Sequence, residues 1–161
     1  MKIDLFPFEI LKGISQMTFL RLQKRIVGES ETLQKEDFFW ALNTLCEIKK
    51  ISAHEFLSVS ELIAPYTTDL LIHAAKLVGL RVLKVHRPSC RISAKTLPSL
   101  ALSSSQFINK ECKSDCQLRI DLIVGCGGGK ITYMPANENR MITVRCDDYA
   151  KRYTENLLLI V

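Results

Sequence analysis

Residues 67–86 read Thr-Thr-Asp-Leu-Leu-Ile-His-Ala-Ala-Lys-Leu-Val-Gly-Leu-Arg-Val-Leu-Lys-Val-His, and the spacing of their apolar positions changes midway. Up to Val78 the apolar residues Leu70, Leu71, Ala74, Ala75, Leu77 and Val78 recur with the period of a helix. Thr67 or Thr68 stands where a cap is needed, and Asp69 lies in the first turn. Gly79 follows at the point where a helix end calls for left-handed backbone. From Leu80 to His86 apolar and polar residues alternate, the mark of a half-buried strand. A helix therefore hands over directly to a sheet.

Upstream of this junction the pattern stays helical. Asp37 precedes Phe38-Phe-Trp-Ala-Leu-Asn-Thr-Leu-Cys-Glu-Ile, in which Phe38, Trp40-Ala41, Leu45 and Ile48 recur at helical spacing. An Asp at the start accepts N–H bonds of the first turn and complements the positive end of the helix dipole. A short helix is expected over Ala53–Ser58. Residues 1–30 read as a separate N-terminal extension of loosely helical rhythm, with Leu11, Ile14 and Met17 on one side and Gly28 closing it.

Downstream the pattern is that of strands. Leu97-Pro-Ser-Leu-Ala-Leu, Met141-Ile-Thr-Val-Arg-Cys and Leu157–Val161 each read as one strand. Leu118–Gly125 and Lys130–Pro135 read as a hairpin around a glycine loop, and Asp147–Tyr153 as a helical turn or two. Helices first, then a mostly antiparallel sheet, make an α+β domain. No internal repeat is visible.

Composition narrows the function. The chain has 161 residues, 47% hydrophobic and 24% charged, with a formal net charge of +5. That suits one domain with its own core and excludes intrinsic disorder. The longest apolar runs fall far short of the roughly 20 residues that cross a bilayer. The first residues carry acids and a proline, unlike a secretory signal. The densest basic stretch, Arg81, Lys84, Arg87, Arg91 and Lys95, lacks the interleaved aromatics of a nucleic-acid surface and suits an acidic or unfolded protein partner as well as bare solvent.

Motifs with chemistry are sparse. The six cysteines, at 46, 90, 112, 116, 126 and 146, include one close pair, Cys112 and Cys116, and no histidine at ligand spacing, so no metal site is expected. None of them opens an expected helix, which argues against a cysteine nucleophile. Gly125-Cys-Gly-Gly-Gly-Lys130 is a residue short of a phosphate loop, carries Ile131 where the magnesium hydroxyl belongs, and precedes a strand. Phe38, Phe39 and Trp40 are about 100° apart around a helix, so at least one must leave the core face.

Taken in order, these pieces resemble one family: the papain-like peptidase domain at the N-terminus of bacterial ABC exporters, in its degenerate form from RTX toxin exporters of the haemolysin type. The resemblance covers residues 31–161. It rests on Asp37–Leu45 (the nucleophile helix), Leu70–Val82, Leu97–Leu102, and the ending Tyr149–Val161. In active members a Cys opens the first helix, a His begins the hairpin strand, and an Asp precedes Pro after the next strand. Here those positions fall on Asp37, on about Asp121, and on Met134 before Pro135, so the resemblance implies an inactive peptidase. Two carboxylates sharing one cleft would repel and raise the pKa of one.

The function so implied is docking of unfolded RTX-type substrate in the cytoplasm, ahead of ATP-driven export. Trp40, Phe39 and Tyr133 are the expected groove contacts. No cofactor is expected within the chain; ATP and magnesium belong to a nucleotide-binding domain which, with the transmembrane region, forms its other partner at the inner membrane. The alternatives are an active leader-processing cysteine peptidase and, behind it, a small basic nucleic-acid-binding domain.

Overall fold

The computed structural model describes residues 31–51, 64–104 and 118–161. The extension 1–30, the helix expected at Ala53–Ser58, and the Cys112/Cys116 pair lie outside the described residues. Helix α1 (Lys35–Ile48) buries Phe38, Ala41, Leu42, Leu45 and Cys46. These are positions i, i+3, i+4, i+7 and i+8, a single apolar stripe. The helix starts earlier than the sequence suggests: Gln34 is its N-cap and makes no side-chain capping bond. Asp37 therefore lies inside the first turn and is not the cap; its carboxylate is engaged elsewhere.

Helix α2 (Thr68–Leu77) follows the sequence closely. Thr67 is the cap, its Oγ1 accepting from the Leu70 N–H at 3.1 Å. At the other end Leu80 N donates to Ala75 O and Gly79 N to Lys76 O, with Gly79 at φ +82°. This paired closure needs left-handed backbone, which glycine adopts without steric cost.

Six strands follow: β1 (Val82–His86), β2 (Ser99–Ser104), β3 (Leu118–Gly127), β4 (Lys130–Pro135), β5 (Ile142–Arg145) and β6 (Tyr153–Ile160). They form one sheet in the order β1-β6-β2-β3-β4-β5, every neighbour antiparallel. The short helix α3 (Cys146–Ala150) joins β5 to β6. The last strand opens at Tyr153, earlier than the Leu157 expected: Tyr153 already pairs with Ser103 of β2. The ladder then shifts register before Leu157 pairs with Ala101, with Glu155 at φ 62° in the irregular stretch. The β3–β4 hairpin turns through Gly128 and Gly129, both at positive φ, as the tightest hairpin turns demand.

Strand alternation gives the sheet two apolar faces. One carries Ala101, Ile123, Ile131, Tyr133 and Leu157 and is closed by Tyr149 of α3, Tyr153 and Ile92. The other carries Leu100, Leu102, Ile120, Leu122 and Leu158, opposite one another in the β2–β3 and β2–β6 ladders. That second face is left for α1 and α2, which touch each other, β3 and β1. Among the described residues no helix is long and apolar enough to cross a membrane.

Candidate functional site

Asp37 has a fully buried place in the first turn of α1. A buried carboxylate is tolerated only when its oxygens find donors. Here both do: Arg119 Nε donates to Oδ2 at 2.6 Å, and Asn137 Nδ2 donates to Oδ1 at 2.9 Å. The Arg119 guanidinium is also tied to the Ala136 carbonyl at 3.4 Å. Three elements thus converge: the start of α1, the start of β3, and the turn after β4. The ladder pairs Asp121 with Pro135, and Ala136 N donates to Ile120 O at 2.8 Å, which brings the turn after β4 beside the start of β3. Asn137, at φ 61°, holds the left-handed backbone that Asn accepts more readily than most residues.

The side chains brought to Asp37 are therefore Arg119 and Asn137, and not Asp121 and Met134, the positions read from the sequence. Met134 pairs with Leu122 in the hairpin and is half-buried. Asp121 belongs to a second cluster on the tyrosine face. Tyr149 Oη donates to its Oδ2 at 3.0 Å, and Arg152 Nη2 reaches its Oδ1 at 3.4 Å. Arg152 also reaches Ser103 Oγ at 3.3 Å and Tyr133 Oη at 3.4 Å, with its guanidinium 5.4 Å from the Tyr133 ring centre. Burial raises the Asp121 carboxyl above its ordinary value; Arg152, the hydrogen bonds from Ser103 and Tyr149, and Arg119 oppose this without cancelling it. The rise expected from repulsion between two carboxylates has a different cause: Asp37 does not contribute to it, and Arg119 stands among the charges that lower it.

Of the expected groove residues, Tyr133 is only 4% exposed and packs at 4.9 Å on Tyr149. It is a core residue and offers no surface to a ligand, because its place in β4 faces the tyrosine cluster. Phe39 and Trp40 are partly exposed while Phe38 is buried, as three consecutive helical aromatics require. Phe39 leans on Phe38 and Tyr66, with ring centres 5.4 and 5.7 Å away.

None of the described cysteines lies in this constellation. Cys46 is buried mid-way along α1, and burial, then the Glu47 charge, pushes its thiol up. Cys146 is also pushed up, first by burial and then by Asp147. Arg119, Asn137, Arg152 and Tyr149 went unread in the sequence. One signal was present: Arg119 and Asp121 share a face of an otherwise apolar strand, and charges so placed need partners.

No family model matches the sequence, and no curated protein does. Among solved structures, the chain is similar to the crystal structure of the N-terminal peptidase C39-like domain of the toxin secretion ATP-binding protein from Vibrio parahaemolyticus. The identity is 15% and the TM-score 0.58, over 79% of this chain and 97% of that one. The chain thus has the α+β, papain-like fold of a C39-like peptidase domain.

Proposed function

We propose that this chain is a client-docking domain of a type I secretion ABC exporter, built on a peptidase scaffold without peptidase chemistry. The observation that carries this is the Asp37–Arg119–Asn137 constellation. It unites the three elements from which the resemblance draws nucleophile, base and orienting acid. A guanidinium stays protonated at any working pH and cannot take a proton from a nucleophile. A carboxylate holding two donors is a structural anchor rather than an attacking group. The similarity to the N-terminal domain of a toxin secretion protein points the same way.

The client in this reading is an unfolded, acidic RTX-type protein, attracted at long range by a domain of net charge +5. Ordering such a client costs free energy, which favours weak and reversible capture. The domain works at the cytoplasmic face of the inner membrane, and ATP and magnesium act in the exporter's nucleotide-binding domain. The test is a titration with an RTX protein, calcium-free and calcium-folded, read by the fluorescence of Trp40, the single tryptophan. Binding of the unfolded form alone is expected, weakened by Phe39→Ala and, followed by calorimetry because the reporter is then gone, by Trp40→Phe. Equal binding of both forms, or cleavage of a double-glycine leader peptide, defeats the proposal.

A further inference from the structure

The strand β1 forms one margin of the sheet. Val161 N donates to Arg81 O at 2.8 Å, and Arg87 N donates to Glu155 O at 2.7 Å. Residues 81, 83, 85 and 87 therefore turn their main-chain groups toward β6. By antiparallel alternation Val82, Lys84 and His86 turn theirs outward. Among the described residues nothing bonds to these outward groups. Leu83, on the same strand, is 54% exposed.

The charge around this margin is basic in excess, although Glu155 lies 3.0 Å from His86 Nε2. From Leu70 to Ser104 the chain contains Lys76, Arg81, Lys84, Arg87, Arg91 and Lys95 and no Asp or Glu. Lys84 is paired with Glu31 at 2.7 Å; the other five have no ion-pair partner among the described residues. The opposite margin, β5, differs: Arg145 and Lys151 both pair with Asp148, and Arg140 with Glu138. Two copies of a basic edge repel each other, whereas an acidic strand is attracted.

We propose that the open edge of β1 takes up an extended acidic segment of the unfolded client as an added strand. Main-chain bonds to Val82, Lys84 and His86 supply affinity without demanding a particular sequence, and the basic surround selects for acidity. This rests on the client-docking reading, and its test is arranged to fail separately. The full chain is titrated with a peptide of about ten residues alternating Glu with Val, roughly the length of a strand. The same peptide N-methylated at alternate residues is the comparison, since methylation removes strand bonds and leaves the charge.

Methylation on the pairing side is expected to weaken binding about tenfold or more, the equivalent of one or two lost hydrogen bonds. Arg81→Glu and Lys84→Pro in the protein are expected to do the same; the N–H that proline removes is an outward one. Should Lys84→Pro fail to fold, the methylated peptide still decides, because it leaves the protein untouched. Equal affinity for plain and methylated peptides, no peptide binding by the full chain, or a dimer dissolved by Lys84→Pro overturns the inference. An unfolded client that binds regardless of these changes overturns strand addition alone. A client that never binds overturns the docking reading with it.

Discussion

The Asp37 carboxylate and the Arg119 guanidinium meet at 2.6 Å although 82 positions separate them in the chain. The pair ties the first turn of α1 to the start of β3, the place where the helical layer meets the sheet. Asp37 is almost wholly buried, with 1% of its side chain exposed against 29% for Arg119. The pair is thus an internal clamp, partly open on the arginine side.

Removing the acid should cost more than removing a surface charge. Asp37→Ala leaves Arg119 and Asn137 facing an empty buried space, and a loss of about 2–3 kcal/mol is expected, below that of a fully buried pair because Arg119 keeps some water. Asp37→Asn, which retains one acceptor, should lose less. Urea unfolding of both variants checks this; a change under about 0.5 kcal/mol for Asp37→Ala, typical of surface sites, contradicts it.

A thiol placed at position 37 should not by itself confer peptidase activity. In Asp37→Cys the new sulfur faces a guanidinium, which lowers its pKa but cannot shuttle a proton to a leaving amine. No cleavage of a leader peptide is expected, by mass spectrometry, from the single variant. Turnover by it would show that another group supplies the base.

Asp121 sets a pH dependence whose sign follows from its burial. Its folded-state pKa lies above the ordinary 3.8, so the folded protein holds the proton more tightly than the unfolded chain. That contribution to stability is full below 3.8 and is lost as pH rises through the raised value. Asp121→Asn, uncharged at every pH, should flatten the stability curve in this window. Unfolding midpoints measured stepwise from acid upward give the two slopes, and equal slopes refute the assignment.

Thiol reactivity should follow exposure. Cys90 is exposed, whereas Cys46 is buried with a raised pKa. Under limiting alkylation, with peptides mapped by mass, Cys90 should modify before Cys46. Cys46 waits for local opening of α1, so its rate should rise with denaturant. An adduct on Cys46 ahead of Cys90 contradicts the packing of that helix.

The junction at Gly79 was legible because two local signals coincide there, a change of apolar period and a residue suited to left-handed backbone. Most strands were legible for the same reason, and their antiparallel arrangement followed from short connections. The partners of Asp37 were not. They depend on how β3 and β4 pair, and that ladder shifts register between Ile123 and Gly125. A shift of this kind leaves no trace in composition or period. Tyr133 was misplaced for a related reason: aromatic character suggests a contact surface, but the strand face on which it lies is fixed by pairing, and that face is the core.

The strand β6 is made last among the described elements yet sits between β1 and β2. During synthesis, then, β1 emerges with no neighbour to join, and one side of β2 stays open until residues 153–160 have left the ribosome. The hairpin β3–β4 can form locally, but the sheet cannot be completed piecemeal from the N-terminus. A nascent chain halted before Tyr153 exposes strand edges that the finished protein joins, and is for that interval a natural target for chaperones.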